Sequence, residues 1–431
     1  MKVLLLAAGR SKRMQPIKDK NFLNFLGKPL ILHQIDLIRK SGFKEIVVVG
    51  GAHNLHELKG ACHGCDVIEQ EDLDAGMCGA VLSAKEKISG DGVLIVSSND
   101  VVDGQAFDLI KEAAEGDSDS YILGKKVDEY FPGGYLEVDG NGLISGIVEK
   151  PEPGSEPSDL VNLVVHYHKH ASKLIEYLEK AESESDDLYE VTLDKLIKDG
   201  VKMEAVEYDG FWQPIKFPWH VHEVFRYFFD KVGKSISPDA EVAESATIKG
   251  HVVIESGAKI FDNAVINGPA YIGKGSIVAN NALVRDSHLG ANCVIGYSTE
   301  VARSFLGHDV WTHSNYIGDS VIGNNVSFGA GTVTGNLRLD EKNICVELDG
   351  QKVDSGVNKF GLVTGDNVRA GVNTSFMPGI KIGADSFIGA GIVVAENIPE
   401  KSFVRGSFEL KISENKIEID SDRSKFKNKL K

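Results

Sequence analysis

The first candidate for chemistry is a loop of small and basic residues near the start of the chain. Ala7, Ala8 and Gly9 follow a short aliphatic run. Five cations then lie within eleven residues: Arg10, Lys12, Arg13, Lys18 and Lys20. Small residues let backbone N–H groups approach a ligand closely, and cations neutralise its charge. The pattern favours a phosphate-rich ligand, with an ordinary strand–helix turn and a solvated basic surface as the alternative.

A carboxylate follows a second aliphatic run. Residues 93–96 are aliphatic, and Asn99 and Asp100 come shortly after them. A carboxylate at the end of a strand could bind Mg²⁺ against phosphate oxygens. The alternative is that Asp100 caps the next helix. Because Asp103 is a second candidate for that cap, the sequence favours the metal role for Asp100.

A third polar pair stands just before a proline. Glu149 and Lys150 precede Pro151. Glu149 could accept hydrogen bonds from sugar hydroxyls, and Lys150 could contact a phosphate. A solvated turn explains the same residues equally well.

A cluster of histidines and cysteines also has metal-ligand chemistry. It comprises His53, His56, Cys62, His63 and Cys65, and two sulfurs with two imidazoles could bind zinc tetrahedrally. The sequence has no second CxxC motif, so a surface turn is favoured over zinc. Five cysteines, an odd number, do not suggest a disulfide framework and fit a reducing compartment.

Composition limits the possible partners. The chain has 431 residues and a formal net charge of -16. This charge argues against nucleic acid or an anionic membrane as the main partner, so a local basic cluster must bind any anionic ligand. No apolar run approaches the roughly 20 residues that span a bilayer. Met1 and Lys2 lead into a strand without a signal-peptide pattern, so we expect a cytoplasmic protein.

The elements that would position these residues alternate in type up to about residue 227. Short aliphatic runs, such as residues 46–49 and 93–96, are separated by longer amphipathic segments. This alternation predicts βαβ units and a mostly parallel sheet. Since such sheets bind ligands beyond the carboxyl ends of their strands, Gly9 and Asp100 are expected at the binding edge.

A six-residue period begins after about residue 236. The aliphatic positions are Val242, Ile248, Ile254, Ile260, Ile266, Ile272, Val278, Val284, Leu289, Ile295 and Val301, and later Phe376, Ile382, Ile388 and Val394. The repeat predicts a hexapeptide β-helix that buries one aliphatic column. Residues 337–360 interrupt it, which is typical of a functional excursion or a lid. The predicted domains are residues 1–230 and 236–408, followed by a polar, basic and mobile tail at 409–431.

The order of these motifs resembles the sugar-1-phosphate nucleotidylyltransferases. The motifs are Leu6-Ala7-Ala8-Gly9, Arg13-Met14, Lys20, Gly27-Lys28-Pro29-Leu30, Asn99-Asp100 and Glu149-Lys150-Pro151. The solenoid segment 315–336 is similar to the acetyltransferase half of the family that joins N-acetylglucosamine-1-phosphate uridylyltransferase to glucosamine-1-phosphate acetyltransferase. The resemblance implies an α/β Rossmann-like nucleotidyltransferase domain followed by a left-handed parallel β-helix that assembles as a homotrimer.

For the first half, the resemblance implies that a sugar-1-phosphate displaces pyrophosphate from UTP or dTTP. Triphosphate and base would be held by Ala7, Ala8, Gly9, Arg13, Gln70 and Gly76. Lys20 would stabilise the transferring α-phosphate, and Asp100 would bind Mg²⁺. The sugar phosphate would contact Glu149, Lys150 and Asn162.

For the second half, the resemblance implies acetyl transfer from acetyl-CoA. His313 would be the general base that deprotonates the attacking amine. The other expected contacts with the acceptor are Arg303, Tyr316, Asn336 and Lys342. Coenzyme A would lie near residues 359–369. For His313 taken alone, a structural hydrogen bond is the alternative.

Three departures from the family pattern keep other hypotheses open. Ser11 and Lys12 stand where Gly and Thr are usual, and Pro214 stands where many relatives carry an Asp or Asn that completes the Mg²⁺ site. Ala302 replaces a phosphate-binding Lys, a charge that Arg303 could supply. A bifunctional enzyme is the leading hypothesis. The alternatives are a single nucleotidylyltransferase whose solenoid serves assembly, and a catalytically impaired protein that senses nucleotide sugars.

Overall fold

Short aliphatic runs separated by amphipathic helices build a nine-stranded sheet in the first half of the chain. The computed structural model of the protein describes residues 1–90, 92–183, 187–348, 350–407, 409–416 and 422–428. The strands of the first half are β1 (Lys2–Leu6), β2 (Asn24–Phe25), β3 (Lys28–Pro29), β4 (Ile46–Gly51), β5 (Asp66–Gln70), β6 (Val93–Ser97), β7 (Asp100–Val102), β8 (Ser120–Lys126), β9 (Gly134–Val138), β10 (Ile144–Glu149), β11 (Leu160–His168), β12 (Met203–Glu207) and β13 (Trp212–Pro214). The helices are α1 (Leu30–Lys40), α2 (Leu55–Ala61), α3 (Gly76–Ser83), α4 (Lys85–Ile88), α5 (Gly104–Ala113), α6 (Ala171–Leu178), α7 (Leu188–Lys198) and α8 (Val221–Asp230), with 3₁₀ turns at Lys12–Met14, Lys20–Phe22 and Pro218–His220.

The sheet is mixed rather than mostly parallel. Its order is β10-β9-β11-β6-β1-β4-β5, and β8 and β12 continue beside β11. β1 runs parallel to β4 and β6, and β4 runs parallel to β5. In contrast, β11 runs antiparallel to β6, β8 and β9, and β9 is antiparallel to β10. The prediction of a mostly parallel sheet is therefore wrong around β11, which runs antiparallel to all three of its neighbours. The strands from β8 to β11 follow one another without an intervening helix, whereas β12 runs parallel to β8.

Side chains of β1 alternate between two apolar layers. Val3 and Leu5 pack into the layer that contains Ile35 of α1, whereas Leu4 packs with Val49 on the other side of the sheet. This alternation follows from the two-residue period of a strand. Both faces of the sheet are thereby covered, so a ligand reaches these strands at their carboxyl ends.

Coils of short parallel strands form the second half. The strands are β14 (Ser235–Ile236), β15 (Glu241–Val242), β16 (Thr247–Lys249), β17 (Val252–Ile254), β18 (Lys259–Ile260), β19 (Val265–Ile272), β20 (Ile277–Val278), β21 (Leu283–Leu289), β22 (Val294–Ile295), β23 (Glu300–Ala302), β24 (Phe305–Leu306), β25 (Tyr316–Gly318), β26 (Val321–Ile322), β27 (Ser327–Phe328), β28 (Val333–Thr334), β29 (Cys345–Leu348), β30 (Gln351–Asp354), β31 (Val363–Thr364), β32 (Arg369–Ala370), β33 (Ser375–Phe376), β34 (Lys381–Ile382), β35 (Phe387–Ile388), β36 (Val393–Val394) and β37 (Phe403–Val404). Successive coils pair in parallel register, with Ile266 beside Val284 and Val284 beside Val301.

The six-residue repeat of the sequence forms one buried core inside these coils. Its positions stack in three ladders, which contain the pairs Val242–Ile260, Ile248–Ile266 and Ile254–Ile272. Every predicted position from Val242 to Val301, and from Phe376 to Val394, belongs to it or packs against it. A column of stacked aliphatic residues lets each coil bury its apolar side chains on its neighbours. The prediction of a hexapeptide β-helix is confirmed.

The excursion between the last coils is a hairpin that reaches the first domain. β29 and β30 pair antiparallel, and the inward side chains Ile344 and Val346 join an apolar cluster that contains Ile215 of the first domain. At the base of the excursion, the ring of Phe360 lies edge-on to Trp219, with 5.8 Å between ring centroids. The predicted excursion is therefore present and is part of the interface between the domains.

A polar contact also joins the two domains. The N–H of Leu26 donates to Nε2 of His288 at 3.2 Å. Asp286 accepts from Nε2 of His222 and from Nε of Arg226, each at 3.2 Å. Both partners of Asp286 come from α8, so this helix connects the first half of the chain to the coils.

Three aromatic side chains are exposed along one sheet of the β-helix. Trp311, Phe387 and Phe403 are 57%, 52% and 59% exposed. They share one column of the register, which runs from Trp311 through Ser327 and Arg369 to the two phenylalanines. Phe387 and Phe403 are neighbours, with 6.2 Å between their ring centroids, whereas Ser327 and Arg369 separate them from Trp311.

A short helix, α9 (Ser424–Lys427), lies in the predicted tail at 409–431, which is described in part. Residues 408, 417–421 and 429–431 lie outside the described part of the chain. Among the described residues, no helix is long and apolar enough to cross a membrane.

Candidate functional site

The carboxyl edge of β1 and β6 opens into a cleft of about 380 Å³. The predicted residues that line it are Ala8, Gly9, Arg13, Gln70, Gly76, Glu149 and Lys150. An adjoining cavity of about 450 Å³ is lined by Gly9, Arg13, Lys20, Gly76 and Lys216. A Cβ at Gly9 would meet nothing within 4 Å, so this residue leaves space on the open side of the loop.

Hydrogen bonds to Ala7 hold the loop on the side that faces the protein interior. The side chain of Ala7 is buried, and its carbonyl oxygen accepts from Nδ2 of Asn21 at 3.1 Å and from Nδ2 of Asn54 at 2.9 Å. Asp19 joins the same network, because its carboxylate accepts from both asparagines. Burial raises the pKa of Asp19, while its hydrogen bonds oppose that shift. Since its carbonyl is already bonded, Ala7 holds the loop in place and Ala8 and Gly9 face the cleft.

The departure at Ser11 has a structural role. Ser11 adopts a left-handed conformation with a φ of 51°, which a glycine would adopt without strain. Its side chain is buried, and its hydroxyl accepts from the backbone N–H of Lys20 at 3.2 Å. The serine therefore connects the loop to the lysine that is expected to contact the α-phosphate.

Buried charges of both signs surround Asp100. Burial raises the pKa of Asp100, and the nearby ammonium groups of Lys216 and Lys20 oppose this shift. Burial lowers the pKa of each lysine to about 8, although Asp100 acts in the opposite direction. Nε1 of Trp212 donates to Oδ1 of Asp100 at 3.4 Å.

The alternative role of Asp100 as a helix cap is wrong. Asp103, not Asp100, precedes α5 and accepts from the N–H of Gln105 at 3.0 Å. Asp100 instead begins β7, which pairs with β13. The side chain of Asp100 is consequently available for other chemistry.

Whether these residues fit Mg²⁺ depends on how many ligands the protein must supply. Pro214 pairs directly opposite Asp100 and carries no side-chain ligand. Within the described ranges, no three His, Cys, Asp or Glu side chains form a metal-binding group. Mg²⁺ commonly takes one or two carboxylates and completes its octahedron with water and phosphate oxygens. Asp100 therefore fits the ion as a single protein ligand beside a bound triphosphate.

Gln70 has one half of its amide free to read a base. Its Nε2 donates to the carbonyl oxygens of Asp72 at 2.7 Å and Gly76 at 2.8 Å. These two bonds orient the side chain and leave Oε1 as an acceptor. A uracil or thymine N3–H would be a suitable donor for it.

The other end of the cleft combines Glu149 with Lys150. Their side chains form an ion pair of 2.8 Å. Asn162 lies next to Glu149, because a Cβ on Gly134 would lie 3.0 Å from Oε2 of Glu149 and 3.6 Å from Nδ2 of Asn162. The structure thus brings together the three residues that were predicted to contact the sugar phosphate.

A chain of buried hydrogen bonds orients Asn162. Nε2 of His166 lies 2.8 Å from Oδ1 of Asn162, and Nδ1 of the same ring lies 3.0 Å from the hydroxyl of Tyr189. That hydroxyl lies 3.0 Å from Nε2 of His168, whose Nδ1 lies 2.8 Å from Oγ of Ser120. Burial lowers the pKa of His166 to about 3 and that of His168 to about 4, so both rings are neutral near pH 7.

One order of protons satisfies every group in this chain. Ser120 donates to His168, His168 donates to Tyr189, and Tyr189 donates to His166. His166 then donates to Oδ1 of Asn162, which directs the Asn162 amide nitrogen away from the histidine. The amide nitrogen lies near the carboxylate of Glu149, which lines the cleft.

His313 precedes β25 on an exposed turn of the solenoid. The side chain of Asn315 fixes this turn: its Oδ1 accepts from the N–H of His313 at 2.6 Å, and its Nδ2 donates to the carbonyls of Gly329 and Thr332. The imidazole is left facing solvent on a rigid backbone. This arrangement suits a base that must reach an incoming amine.

Tyr316 and Asn336 meet on adjacent coils. Nδ2 of Asn336 donates to the hydroxyl of Tyr316 at 3.1 Å and to Oδ2 of Asp319. Gly318 makes room for them, because a Cβ there would lie 2.6 Å from the tyrosine hydroxyl. Arg303 completes the group with two bonds to Asp319, of 2.6 and 2.7 Å. Much of the Arg303 charge is thus already paired with a carboxylate.

Lys342 lies at the start of the excursion and is exposed. The excursion leaves the coils directly after Asn336 and returns at Phe360, whose N–H donates to the carbonyl of Asn336 at 3.0 Å. The structure therefore places the base of the loop that carries Lys342 at Asn336.

The zinc alternative receives no support from the structure. Cys62 is buried at the end of α2, and Cys65 accepts from Nη2 of Arg39 at 3.5 Å. Burial raises the pKa of both thiols, that of Cys62 to about 12. Within the described part of the chain, no three His, Cys, Asp or Glu side chains lie together as a metal-binding group, and this cluster is no exception.

Comparison with known proteins covers both halves of the chain. The MobA-like NTP transferase domain matches residues 3–194, and the bacterial transferase hexapeptide family matches residues 251–286. A bifunctional sugar-1-phosphate nucleotidylyltransferase/acetyltransferase from Sulfurisphaera tokodaii is 35% identical, over 94% of this chain and 100% of its own length. The bifunctional protein GlmU of Methanococcus maripaludis strain C5 is 36% identical over 96% of this chain and 99% of its own length. The bifunctional protein GlmU of Methanocaldococcus jannaschii is 32% identical over 94% of this chain and 97% of its own length.

The chain belongs to the bifunctional sugar-1-phosphate nucleotidylyltransferase/acetyltransferase family. The predicted fold class, an α/β Rossmann-like nucleotidyltransferase domain followed by a left-handed β-helix, is confirmed. The full-length match includes both the cleft and the His313 turn, so it favours the bifunctional hypothesis over a solenoid that serves assembly alone.

Sequence reasoning did not predict several polar residues that belong to the site. Asn21 and Asn54 bond the same carbonyl although they are far apart in the chain. Tyr189 and Lys216 also face the cleft, although neither belongs to the motifs that carried the resemblance. A lone lysine between aromatic residues and prolines was the only available signal for Lys216.

Proposed function

We propose that the protein makes a nucleotide-activated N-acetylated amino sugar in two steps. The β-helix, residues 236–408, transfers acetyl from acetyl-CoA to glucosamine-1-phosphate. The first domain, residues 1–230, then joins the N-acetylated sugar-1-phosphate to the nucleotidyl group of UTP, or of dTTP, and releases pyrophosphate. The observation that carries the nucleotidyl step is the group of cations around the buried Asp100, at the strand edge where the cleft opens.

The roles of the cleft residues in this proposal follow from their charges. Ala8 and Gly9 give the triphosphate access to the backbone, and Arg13 and Lys20 neutralise its oxygens. An oxygen of the sugar phosphate attacks the α-phosphorus, and the bond to the β-phosphate oxygen breaks. Positioning and charge stabilisation do most of the work in such a transfer.

Asp100 is the residue proposed to hold Mg²⁺. When bound, the ion supplies positive charge to the phosphate oxygens. Gln70 reads the base through Oε1, while Asn162 and Glu149 offer a donor and an acceptor for the sugar. Lys150 contacts the sugar phosphate in this proposal.

In the acetyl transfer, His313 removes a proton from the amine as its nitrogen attacks the thioester carbonyl. The carbon–sulfur bond then breaks and coenzyme A leaves as a thiol. Tyr316, Asn336 and Lys342 are proposed contacts of the acceptor, and Arg303 acts mainly through Asp319. Acetyl-CoA is proposed to lie near residues 359–369.

We propose that the protein works as a cytoplasmic homotrimer. The exposed pair of Phe387 and Phe403 and the exposed Trp311 support burial of this surface between subunits. All five cysteines are free thiols in the structure, which suits a reducing compartment. Sedimentation velocity tests the trimer, and a monomeric species would contradict it.

The test of function is a matched pair of assays on one preparation. Glucosamine-1-phosphate with acetyl-CoA should release free thiol, and N-acetylglucosamine-1-phosphate with UTP and Mg²⁺ should release pyrophosphate. A panel of four nucleotides and several sugar-1-phosphates identifies the preferred pair. Pyrophosphate release without thiol release would indicate an enzyme with the nucleotidyl-transfer activity alone. If neither product is released, the protein would be one that only binds nucleotide sugars.

A further inference from the structure

Lys216 enters the phosphate side of the cleft from a segment without a known motif. It follows β13 by two residues, and β13 is paired with β7 so that Pro214 lies opposite Asp100. The ammonium of Lys216 donates to the carbonyl oxygen of Pro132 at 3.1 Å and lies 4.1 Å from the centre of the Phe131 ring. These two contacts hold the end of a long, flexible side chain in one place. The side chain lines the same cavity as Gly9, Arg13 and Lys20.

The charges around Lys216 leave a surplus of positive charge. The cations are Arg13, Lys20 and Lys216. The carboxylates that act on the two lysines are Asp100 and Asp19, while Glu149 is already paired with Lys150. None of these cations forms an ion pair within 4.0 Å with an acidic side chain of the described chain. Burying unpaired ammonium groups costs free energy, which an anionic ligand would recover.

The position of Lys216 also links the two ends of the cleft. The charges that act on its ammonium are those of Asp100 and Arg13 on the nucleotide side, and of Glu149 and Lys150 on the sugar side. A group between these two ends lies where a nucleotide phosphate and a sugar phosphate would meet. Two anions brought together at one place repel each other unless a cation lies close to both.

We propose that Lys216 is a phosphate-binding residue of the nucleotidyl-transfer site, and that its ammonium contacts the reacting phosphates beside Asp100, where Pro214 offers no ligand. This inference rests on the proposed nucleotidyl transfer in naming its substrates. One N–H of the Lys216 ammonium keeps its hydrogen bond to the carbonyl oxygen of Pro132, and the other two N–H groups donate to phosphate oxygens. The residue reduces the repulsion between the attacking sugar phosphate and the α-phosphate, and it binds polyphosphate even without a metal ion.

The test uses metal-free binding, which does not depend on turnover. Binding of UTP and of inorganic tripolyphosphate is titrated in EDTA and followed by tryptophan fluorescence, to which Trp212 contributes from beside Asp100. Lys216→Met should weaken both by roughly ten-fold, the usual scale for one lost hydrogen bond to a charged group. Lys216→Arg keeps the charge and should retain most of the binding. The matched control is Lys87→Met, which removes a charge from an exposed ion pair with Asp66 outside the cleft.

A second uncharged variant at Lys216 shows whether weaker binding comes from the lost charge or from a misfolded protein. Lys216→Gln keeps a donor for the Pro132 carbonyl and should weaken binding to the same degree as Lys216→Met. Wild-type affinity in either folded neutral variant would overturn the proposal. Pyrophosphate release by the wild-type protein is measured in parallel. If it fails while the binding differences remain, the proposed reaction is wrong and the role of Lys216 in binding stands.

Discussion

The hydroxyl of Ser11 accepts a hydrogen bond of 3.2 Å from the backbone N–H of Lys20. This bond spans nine residues and joins the turn after the phosphate loop to the turn that begins with the proposed catalytic lysine. Ser11 also holds a left-handed backbone conformation, so it combines a favourable contact with local strain.

Ser11 variants should separate the contact from the strain. Ser11→Ala loses the bond but keeps the strain, and we expect nucleotidyl transfer to fall about five-fold, the equivalent of one hydrogen bond. Ser11→Gly loses the bond and relieves the strain, so its melting temperature should exceed that of Ser11→Ala. Initial rates of pyrophosphate release and thermal melts measure the two effects. Acetyl transfer is the internal control, and a parallel loss of both activities would argue against a local role.

Tyr189→Phe should weaken the binding of the sugar-1-phosphate. The change removes the hydroxyl between two buried histidines and releases the orientation of Asn162. We expect KM for the sugar-1-phosphate to rise several-fold, and the free energy of unfolding to fall by about 1–3 kcal/mol because two ring nitrogens lose their partner.

The matched control for Tyr189 is Tyr177→Phe. The Tyr177 hydroxyl donates to Asp199 at 2.8 Å on the surface, so its loss should leave KM unchanged. If Tyr189→Phe lowers stability but leaves KM for the sugar-1-phosphate at the wild-type value, the buried chain serves the fold alone.

Buried histidines should make the protein less stable in mild acid. Burial lowers the pKa of His33, His168 and His220 to about 4. Burial likewise lowers the pKa of His166 and His288 to about 3. The unfolded chain binds protons at these residues near pH 6.5 while the folded chain does not. The stability they contribute is therefore complete above about pH 6.5 and is lost as the pH falls toward about 4.

The size of this effect can be measured by urea unfolding at about pH 7.5 and about pH 5.5. Each buried histidine should account for a loss of about 1 kcal/mol between these values. His168→Asn should reduce the total loss by that amount, whereas His170→Asn, on an exposed side chain, should not. An identical pH dependence in the His168 variant would contradict the assignment of a neutral buried ring.

His313→Ala should separate the two activities. Loss of a general base usually lowers a rate by about 100-fold or more. We therefore expect thiol release from acetyl-CoA to fall by that factor, while pyrophosphate release from N-acetylglucosamine-1-phosphate and UTP stays at the wild-type rate. His308→Ala is the control, because His308 accepts from the N–H of Ala291 within the coil. Unchanged thiol release would exclude His313 as the base.

Local patterns explain what could be predicted from the sequence. The six-residue period depends on neighbouring coils alone, so the spacing of Ile266 and Val284 is enough to predict that they share one column. Asp100 could be placed at a strand end because the aliphatic run before it is short and clear. The phosphate loop and Glu149 were likewise carried by residues that are adjacent in the chain.

What could not be predicted depends on contacts between distant segments. Asn54 bonds Asp19 from 35 residues away, and Tyr189 bonds His166 from 23 residues away. Lys216 reaches the cleft because β13 pairs with β7, a register that no local pattern encodes. The antiparallel strands around β11 were missed for the same reason, since the loops that connect β8 to β11 do not reveal which strands pair.

The hairpin of β29 and β30 lies within the β-helix in the sequence but packs against the first domain in the structure. It is encoded within the coils, yet Ile344 and Val346 complete an apolar cluster around Ile215 and Phe225 of the first domain. A chimera that exchanges the β-helix for that of a relative, cut near residue 236, would pair this surface with a foreign hairpin. Residues 337–360 therefore have to travel with the first domain, so that modular recombination of the two activities requires three junctions instead of one.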